Sequence, residues 1–171
     1  MKFQLLIAML TPLFLAAQDP APAGCKLNKE TDPYTRETKL STGFIFLEGG
    51  SVTIDADSKD IDVLFSVEGT DKCYDNNCNA EIFFEGIKSK TSTRNGGTMN
   101  CEGLFHFIFR NSKSAPTTLL QRMCTKKITH IIFTSNDKKQ TKTTVTISTQ
   151  EQETLMTLAN CLVNEARTLI K

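Results

Sequence analysis

Cysteine and histidine are the residues of this 171-residue chain whose side chains are best suited to covalent, metal-binding or acid–base chemistry. The chain contains six cysteines and two histidines. The cysteines are Cys25, Cys73, Cys78, Cys101, Cys124 and Cys161. No Cys-x2-Cys or His-x3-His spacing occurs, so the pattern of a structural zinc site is missing. An even number of cysteines in an exported protein instead predicts up to three disulfide bonds.

Two pairings of these cysteines are suggested by their positions. Cys73 and Cys78 are close enough in sequence to close a small loop of their own. Cys161 falls on the flank of a predicted C-terminal helix, where it can reach a strand that starts at Cys101. A Cys101–Cys161 disulfide would close a loop of about 60 residues and contribute roughly 4 kcal/mol in the chain-entropy model. Cys25 and Cys124 then remain, either paired or, for Cys124, as a buried thiol.

The first residues of the chain have the composition of an export signal. Lys2 precedes the apolar run Phe3–Leu15, and the small residues Ala16 and Ala17 follow. A basic start, a short apolar core and small residues near the end are what the export machinery recognises. We therefore expect a signal peptide over residues 1–17 and an exported protein, periplasmic or extracellular, in a compartment where thiols pair.

The rest of the chain is predicted to hold one domain. Residues 18–35 are expected to form an extended leader, and residues 36–171 a single α+β domain with one core. No segment has the roughly 20 consecutive apolar residues of a membrane-spanning helix. A lipoprotein anchored through Cys25 is an alternative, because small residues precede this cysteine. Pro22 stands where such a signal has leucine, which favours the free protein.

Apolar and polar residues alternate along several segments, which is the pattern of a half-buried strand. The clearest is Ile61–Val67. In Leu104–Arg110 three phenylalanines alternate with other largely apolar residues, which predicts a strand in the centre of its sheet. Further strands are predicted at 42–47, 51–56, 80–84, 128–135 and 141–148, the last two as a hairpin.

Glycines mark the predicted turns between these strands. Four Glu-Gly dipeptides stand beside apolar runs: Glu48-Gly49, Glu68-Gly69, Glu85-Gly86 and Glu102-Gly103. Glycine readily adopts the positive φ of tight hairpin turns. The spacing therefore indicates antiparallel strands joined by short turns.

Residues with capping chemistry predict two helices. Ser114–Pro116 starts a short one, and Ser148 with Glu151 makes the capping box of a long C-terminal helix. Apolar residues then recur every three or four positions up to Leu169, so one face of this helix must be buried on the sheet. The predicted fold class is α+β, an antiparallel meander sheet or partial barrel with a short helix and a long C-terminal helix packed on it.

Charge is distributed unevenly along the chain. Residues 18–85 carry 14 acidic and 6 basic side chains, whereas residues 86–142 carry 11 basic and 2 acidic ones. The basic segment offers a possible anion-binding face, whose candidates are Lys88, Lys90, Arg94, Lys126 and Lys127. Alternatively, neighbouring strands from the two segments neutralise each other. Aromatic residues do not alternate with these bases as in a stacking platform, so nucleic acid is not an expected partner.

Two acidic segments share features with calcium loops without satisfying the pattern. In Asp55–Asp62, Lys59 and Asp60 occupy the positions of an oxygen ligand and of the glycine, which favours an ordinary turn. A second segment has enough oxygen ligands for a weak site, but its residues are also common in loops. These residues are Asp71, Asp75, Asn76, Asn77 and Asn79. We therefore predict no metal site and no cofactor.

No catalytic motif is recognisable in the chain. A Gly-x-Ser-x-Gly sequence is missing, and the cysteines of an exported protein are expected to be oxidised. A small hydrolase-like enzyme is the alternative, and it requires His106 or His130 in a cleft beside a carboxylate or thiol. The favoured interpretation is a non-enzymatic binding or interaction module. It would bind an unknown protein or an anionic ligand through a sheet face, an edge strand or the basic segment.

Three short segments and the end of the signal carry a resemblance to known sequences. They are Asn100-Cys101-Glu102-Gly103, Thr125-Lys126-Lys127-Ile128, Asn160-Cys161-Leu162 and Ala16-Ala17-Gln18. These segments resemble small uncharacterised exported proteins of Bacteroidota, over about the C-terminal half of the chain. The resemblance implies a periplasmic or outer-surface location and supports a link between Cys101 and Cys161. It carries no activity that can be transferred.

Overall fold

The computed structural model describes residues 25–69 and 72–170, so the predicted signal peptide and the first part of the leader lie outside the described residues. The described residues form ten β-strands, two α-helices and a 3₁₀ turn. The strands are β1 (Asn28–Thr31), β2 (Thr38–Ser41), β3 (Ile45–Leu47), β4 (Gly50–Ala56), β5 (Asp60–Val67), β6 (Asn79–Phe84), β7 (Thr91–Arg94), β8 (Leu104–Arg110), β9 (Ile128–Thr134) and β10 (Lys142–Thr146). The helices are α1 (Thr118–Thr125) and α2 (Thr149–Ala166), and the 3₁₀ turn Arg167–Leu169 follows α2.

The strands form two antiparallel sheets. The first has the order β1-β2-β4-β5-β8, and β3 pairs with β4 at the end that β2 leaves free. The second has the order β10-β9-β6-β7. This arrangement confirms the predicted α+β class with a short and a long helix. The chain also crosses between the sheets, because β5 pairs with β8 and β6 pairs with β9.

The core lies between the two sheets and is rich in phenylalanine. Val63 and Phe65 of β5 lie opposite Phe107 and Phe105 of β8, and all four are at most 1% exposed. Phe133 of β9 packs among them, with its ring centroid 5.6 Å from that of Phe65 and 5.0 Å from that of Phe105. Each fully buried large apolar side chain contributes about 1.5–3 kcal/mol, so this cluster is a principal source of stability.

Strand β8 lies at the edge of the first sheet, so the prediction that it is central was wrong. The outward backbone groups of Leu104 and His106 are nevertheless hydrogen-bonded. The Asn100 side chain accepts the N–H of Leu104 (3.0 Å) and donates to the Leu104 carbonyl (2.9 Å). The Asn95 side chain accepts the N–H of His106 (2.8 Å), and Gly96 donates its N–H to the His106 carbonyl (2.9 Å). These groups occupy the place of a further strand, which explains how so apolar a strand lies at an edge.

The glycines of the four Glu-Gly dipeptides confirm the predicted turns. Gly49, Gly69, Gly86 and Gly103 all have positive φ, between 72° and 123°. At Gly103 there is also no room for a side chain, because a Cβ atom would lie 2.3 Å from the carbonyl oxygen of Val67.

The C-terminal helix begins as its sequence predicts. The Ser148 hydroxyl accepts the N–H of Glu151 (3.4 Å), and the Glu151 carboxylate accepts the N–H of Ser148 (2.7 Å). The apolar side of α2, with Leu162 fully buried, packs against β3, β4 and β9. Helix α1 begins at Thr118, later than the predicted start at Ser114, and its N-cap makes no side-chain hydrogen bond.

Part of the predicted leader belongs to the first sheet. Strand β1 pairs with β2 over all four of its residues, although each of its side chains is exposed. A polar edge strand buries no apolar face, so it leaves no alternating pattern in the sequence. The sheet therefore begins ahead of residue 36, where the domain was predicted to start.

Ser148→Ala is expected to lower the free energy of unfolding by about 1 kcal/mol, because the first turn of α2 loses its capping acceptor. Gln150→Ala is the matched control, since its side chain lies exposed in the same turn and makes no hydrogen bond to the described residues. We expect the control to change stability by less than about 0.5 kcal/mol. Urea denaturation followed by circular dichroism measures both, and equal losses would contradict a capping role for Ser148.

Candidate functional site

The structure forms two disulfide bonds, and neither is one of the predicted pairs. Cys25 is bonded to Cys161, and Cys73 is bonded to Cys101. The predicted Cys101–Cys161 bridge and the predicted Cys73–Cys78 loop were therefore wrong. A disulfide does fix α2 through Cys161, but the partner of Cys161 is Cys25 and not Cys101 ahead of β8.

Long-range backbone pairing explains both disulfides. Tyr74 and Asn100 exchange two backbone hydrogen bonds, of 2.8 and 3.0 Å, which places their neighbours Cys73 and Cys101 side by side. Helix α2 packs against β2, whose partner β1 begins three residues after Cys25. Neither contact follows from an apolar pattern or a turn motif, so spacing alone did not reveal it.

The disulfide at Cys25 bears on stability and on the lipoprotein alternative. It joins residues separated by 136 positions. A loop of this size corresponds to about 5 kcal/mol in the chain-entropy model. The same sulfur atom cannot also carry a lipid, so this pairing argues against an anchor at Cys25.

Two cysteines, Cys78 and Cys124, are free thiols in the described chain. Burial raises the pKa of Cys124 to about 11. Burial also raises the pKa of Cys78, whose thiol lies 3.4 Å from the Asp75 carboxylate as a hydrogen-bond donor. A thiol that is protonated at neutral pH is a poor nucleophile. Neither cysteine is therefore suited to covalent catalysis.

The five basic candidates for an anion-binding face are divided between two places. Lys88 and Lys90 lie in the connection between β6 and β7, and Lys126 and Lys127 lie between α1 and β9. A backbone hydrogen bond of 2.9 Å holds these two connections together. Arg94 lies at the opposite end of β7, next to the start of β6.

Acidic partners neutralise two of these bases. Lys90 forms an ion pair with Glu81, and the Lys127 ammonium lies 2.6 Å from the Glu153 carboxylate. The hydrogen bond to Glu153 and its charge raise the pKa of Lys127. This arrangement favours local neutralisation over an open anion-binding face.

A second candidate surface is the side of the first sheet that faces away from the core, which we call the outer face. Register places Phe46 of β3, Ser51 of β4, Ser66 of β5 and Leu104 of β8 side by side. Directly paired residues of antiparallel strands project to the same side, and the adjacent row, containing Phe65, points into the core. Phe44 belongs to the outer face through its stacking on Phe46. Register adds six further residues, of which Thr53 is buried: Thr53, Asp55, Asp62, Leu64, His106 and Ile108.

Large apolar side chains are exposed on the outer face. Phe44 and Phe46 are 71% and 76% exposed, and their rings stack on each other with centroids 6.5 Å apart. Ile108, which lies on the same face in the edge strand β8, is 48% exposed. Contiguous exposed apolar surface is typical of interaction sites, whereas isolated apolar residues are common everywhere.

His106 and Asp62 form the one pairing of an imidazole with a carboxylate in the described chain. Nδ1 of His106 lies 2.8 Å from Oδ2 of Asp62, and both side chains are partly exposed. Gly97 packs on the ring, and a Cβ atom at Gly97 would lie 2.5 Å from Cδ2 of His106. Within residues 25–69 and 72–170, no hydroxyl or thiol is hydrogen-bonded to this imidazole, so the pair has no nucleophile to activate.

Asp62 also lines a groove of about 410 Å³ between the β1–β2 hairpin and the β4–β5 hairpin. Five acidic and two basic side chains line it: Glu30, Asp55, Asp57, Asp60, Asp62, Lys29 and Lys39. Burial raises the pKa of Asp62, and the nearby charges of Asp55 and Asp60 raise it further, while the hydrogen bond with His106 opposes them. The groove therefore carries an excess of negative charge next to the outer face.

His130 does not take part in this site. Its ring stacks on Phe83, with centroids 4.2 Å apart, and its Nδ1 lies 3.0 Å from the Thr129 hydroxyl. This is the sheet-face imidazole with one hydrogen-bond partner that apolar neighbours predict.

The acidic loops have the contacts of ordinary turns. Asp57 accepts the N–H groups of Lys59 (2.7 Å) and Asp60 (2.9 Å) in the turn between β4 and β5. Asp75 accepts two backbone N–H groups of its own loop (2.8 and 3.1 Å), and Asp71 lies outside the described residues. No group of three or more histidine, cysteine or acidic residues in the described part of the chain is arranged to hold a metal ion.

Comparison with protein-family models, curated proteins and solved structures finds no match for this chain. None of the helices within the described residues is both long and apolar enough to cross a membrane.

Protein recovered from an oxidising compartment and denatured without reductant is expected to react with iodoacetamide at two cysteines, Cys78 and Cys124. The native protein at about pH 8 is expected to react at neither, because Cys78 is buried, Cys124 is partly buried and the raised pKa values keep both thiols mostly protonated. Reduction before labelling should raise the number to six. Intact mass measures these numbers, and peptide mapping should link Cys25 to Cys161. Six adducts without reductant, or a peptide linking Cys101 to Cys161, would contradict the observed pairing.

Asp55→Asn is expected to raise the free energy of unfolding at pH 7 by about 0.5 kcal/mol, because it removes a like charge directly opposite Asp62. The folded pKa of Asp62 is raised, so its contribution stabilises the fold below the unfolded pKa and is lost as pH rises through the folded pKa. The gain should therefore disappear below about pH 3, where the Asp62 carboxyl is protonated and no longer carries the charge that Asp55 repels.

Glu102→Gln, at the far end of β8, makes the same charge change as a control. Urea unfolding at both pH values and an NMR titration of the Asp62 carboxyl test this prediction. The pKa of Asp62 should fall in Asp55→Asn and stay constant in Glu102→Gln. A gain of equal size at both pH values would show that repulsion is not its cause.

Proposed function

We propose that this chain is a non-enzymatic binding module of an oxidising, extracytoplasmic compartment, and that it binds a partner protein through the outer face. The observation that carries this proposal is the stacked, exposed pair Phe44 and Phe46. Burying such rings releases apolar surface from water, and aromatic residues are enriched at the centres of protein interfaces.

The shape of the outer face suits a protein partner better than a small molecule. The row from Phe46 to Leu104 crosses four strands, β3, β4, β5 and β8. Neighbouring strands lie about 4.8 Å apart, so the three spacings make this row about 14 Å wide. The rings of Phe44 and Phe46 are exposed over most of their surface, whereas small molecules are usually enclosed in a concave site. A second protein surface can cover it in a single contact.

The cysteines support the proposed compartment. Two disulfides link segments far apart in the chain, and the sequence opens with the features of an export signal. Disulfides persist in oxidising compartments and are rare in the cytosol. The combination supports a periplasmic or extracellular location.

Two other functions have less support. A hydrolase-like enzyme gains the His106–Asp62 pair, but this pair lacks a nucleophile among the described residues. An anionic ligand would use the basic segment, where Lys90 and Lys127 already have acidic partners. The outer face needs neither a nucleophile nor unpaired basic residues to act as a binding surface.

Photo-crosslinking tests the proposal. Benzoylphenylalanine introduced in place of Phe46 should form a specific adduct with one protein in the extracytoplasmic fraction of the source cells. The same probe in place of Met99, which is also 71% exposed but lies off the outer face, is the matched control. Excess unlabelled wild-type chain should suppress the adduct, and the Phe44→Ser/Phe46→Ser variant should not. Equal labelling from both positions, or equal suppression by the variant, would overturn the proposal.

A further inference from the structure

The groove next to the outer face carries negative charge that its two lysines compensate only in part. Asp55 of β4 lies directly opposite Asp62 of β5. Within the described residues, no lysine or arginine nitrogen lies within 4.0 Å of the carboxylates of Asp55, Asp60 or Asp62, and the one such partner is the His106 ring. Like charges placed opposite each other in a sheet destabilise it by up to about 1 kcal/mol. A cationic partner would relieve this repulsion.

The groove and the aromatic pair lie on one continuous surface. Phe46 pairs with Ser51, and Asp55 follows Ser51 by four residues along the same strand. At about 3.3 Å per residue, the groove therefore begins about 13 Å from the Phe46 row. Phe44 and Thr53 lie between them, where Thr53 is buried and the exposed Phe44 ring supplies the surface. A ligand in contact with both ends must itself extend over that distance.

We propose that the partner's contact segment is an extended, basic stretch of polypeptide that lies along β4, with an apolar side chain on the Phe44–Phe46 pair and lysine or arginine side chains in the groove. This inference rests on the proposed function. An extended peptide also advances about 3.3 Å per residue, so its apolar and first basic residues should be four positions apart. The acidic groove attracts the basic residues of the peptide by charge complementarity, and the exposed phenylalanine rings favour an apolar residue at its other end.

The occupant is a segment of a separate protein and not a small polycation. A small polycation would neutralise the negative charge of the groove but leave the two phenylalanine rings exposed. A peptide satisfies both features at once, and joining two weak contacts in one ligand raises affinity over either alone.

Fluorescence anisotropy with a synthetic probe tests the inference. The probe is a labelled Gly/Ser peptide with one phenylalanine and, four residues later, two lysines. We expect it to bind the wild-type chain, and its affinity to fall about tenfold in Asp55→Asn/Asp60→Asn, since two partly exposed charge pairs together supply about 1.4 kcal/mol. Binding should also weaken as salt rises from about 0.05 to about 0.5 M.

Matched controls separate this effect from net charge and from misfolding. Glu85→Gln/Glu102→Gln makes the same charge change away from the groove and should keep the affinity within about twofold. A probe with glutamates in place of the lysines should bind Asp55→Lys/Asp60→Lys better than the wild type. This gain of binding cannot come from a variant that fails to fold.

The possible failures are distinguishable. If Asp55→Asn/Asp60→Asn binds the probe as tightly as the wild type does while crosslinking at Phe46 persists, the inference falls and the proposed function stands. If spermine displaces the probe at equal charge concentration and binds Phe44→Ser/Phe46→Ser unchanged, the ligand is a small polycation and the inference is overturned. Self-association in sedimentation velocity that Asp55→Asn/Asp60→Asn abolishes would identify a second copy as the occupant and overturn it as well.

Discussion

The register of β5 between β4 and β8 is the constraint on which the rest of this structure depends. Every residue of Ile61–Ser66 has a partner on both sides, and the pairing runs without a bulge. Because side chains alternate with a period of two, a slip of one residue would move Phe65 out of the core and Ser66 into it. The same register fixes the opposite side, so the packed core and the outer face are set by one hydrogen-bonding pattern.

The elements with a buried apolar side were predictable from the sequence, because burial leaves a local pattern. Strands β4, β5 and β9 show this pattern, and the capping box places the start of α2. Strands β1, β2 and β7 were missed. Strands β1 and β7 are short, polar edge strands with no fully buried side chain, and β2 has a single buried apolar residue, Leu40, which is too little for an alternating pattern. The disulfide partners were also missed, because they depend on backbone pairing between distant segments, such as Tyr74 with Asn100.

The candidate site was less predictable than the fold. Charge along the sequence drew attention to the basic segment, whereas the groove combines acidic residues from β1, β4, β5 and the turn between the last two. Asp55 and Asp62 were correctly placed next to a turn, but their repulsion arises only across the ladder. A local signal for the aromatic pair does exist. Phe44, Ile45, Phe46 and Leu47 are apolar on both sides of a short strand, and only one side of it can face the core.

The side chains of Asn95 and Asn100 bond the backbone of Leu104 and His106 at the edge of β8, which makes their loop part of the sheet's hydrogen bonding. A surface loop ordinarily tolerates changes of length and composition, since little depends on its backbone. Here a shift of one residue between Asn95 and Asn100 would leave N–H and C=O groups of an apolar strand open to pairing with another molecule. Evolutionary freedom in this loop is therefore limited by solubility, and relatives of this chain should vary more readily in the exposed turn between β1 and β2.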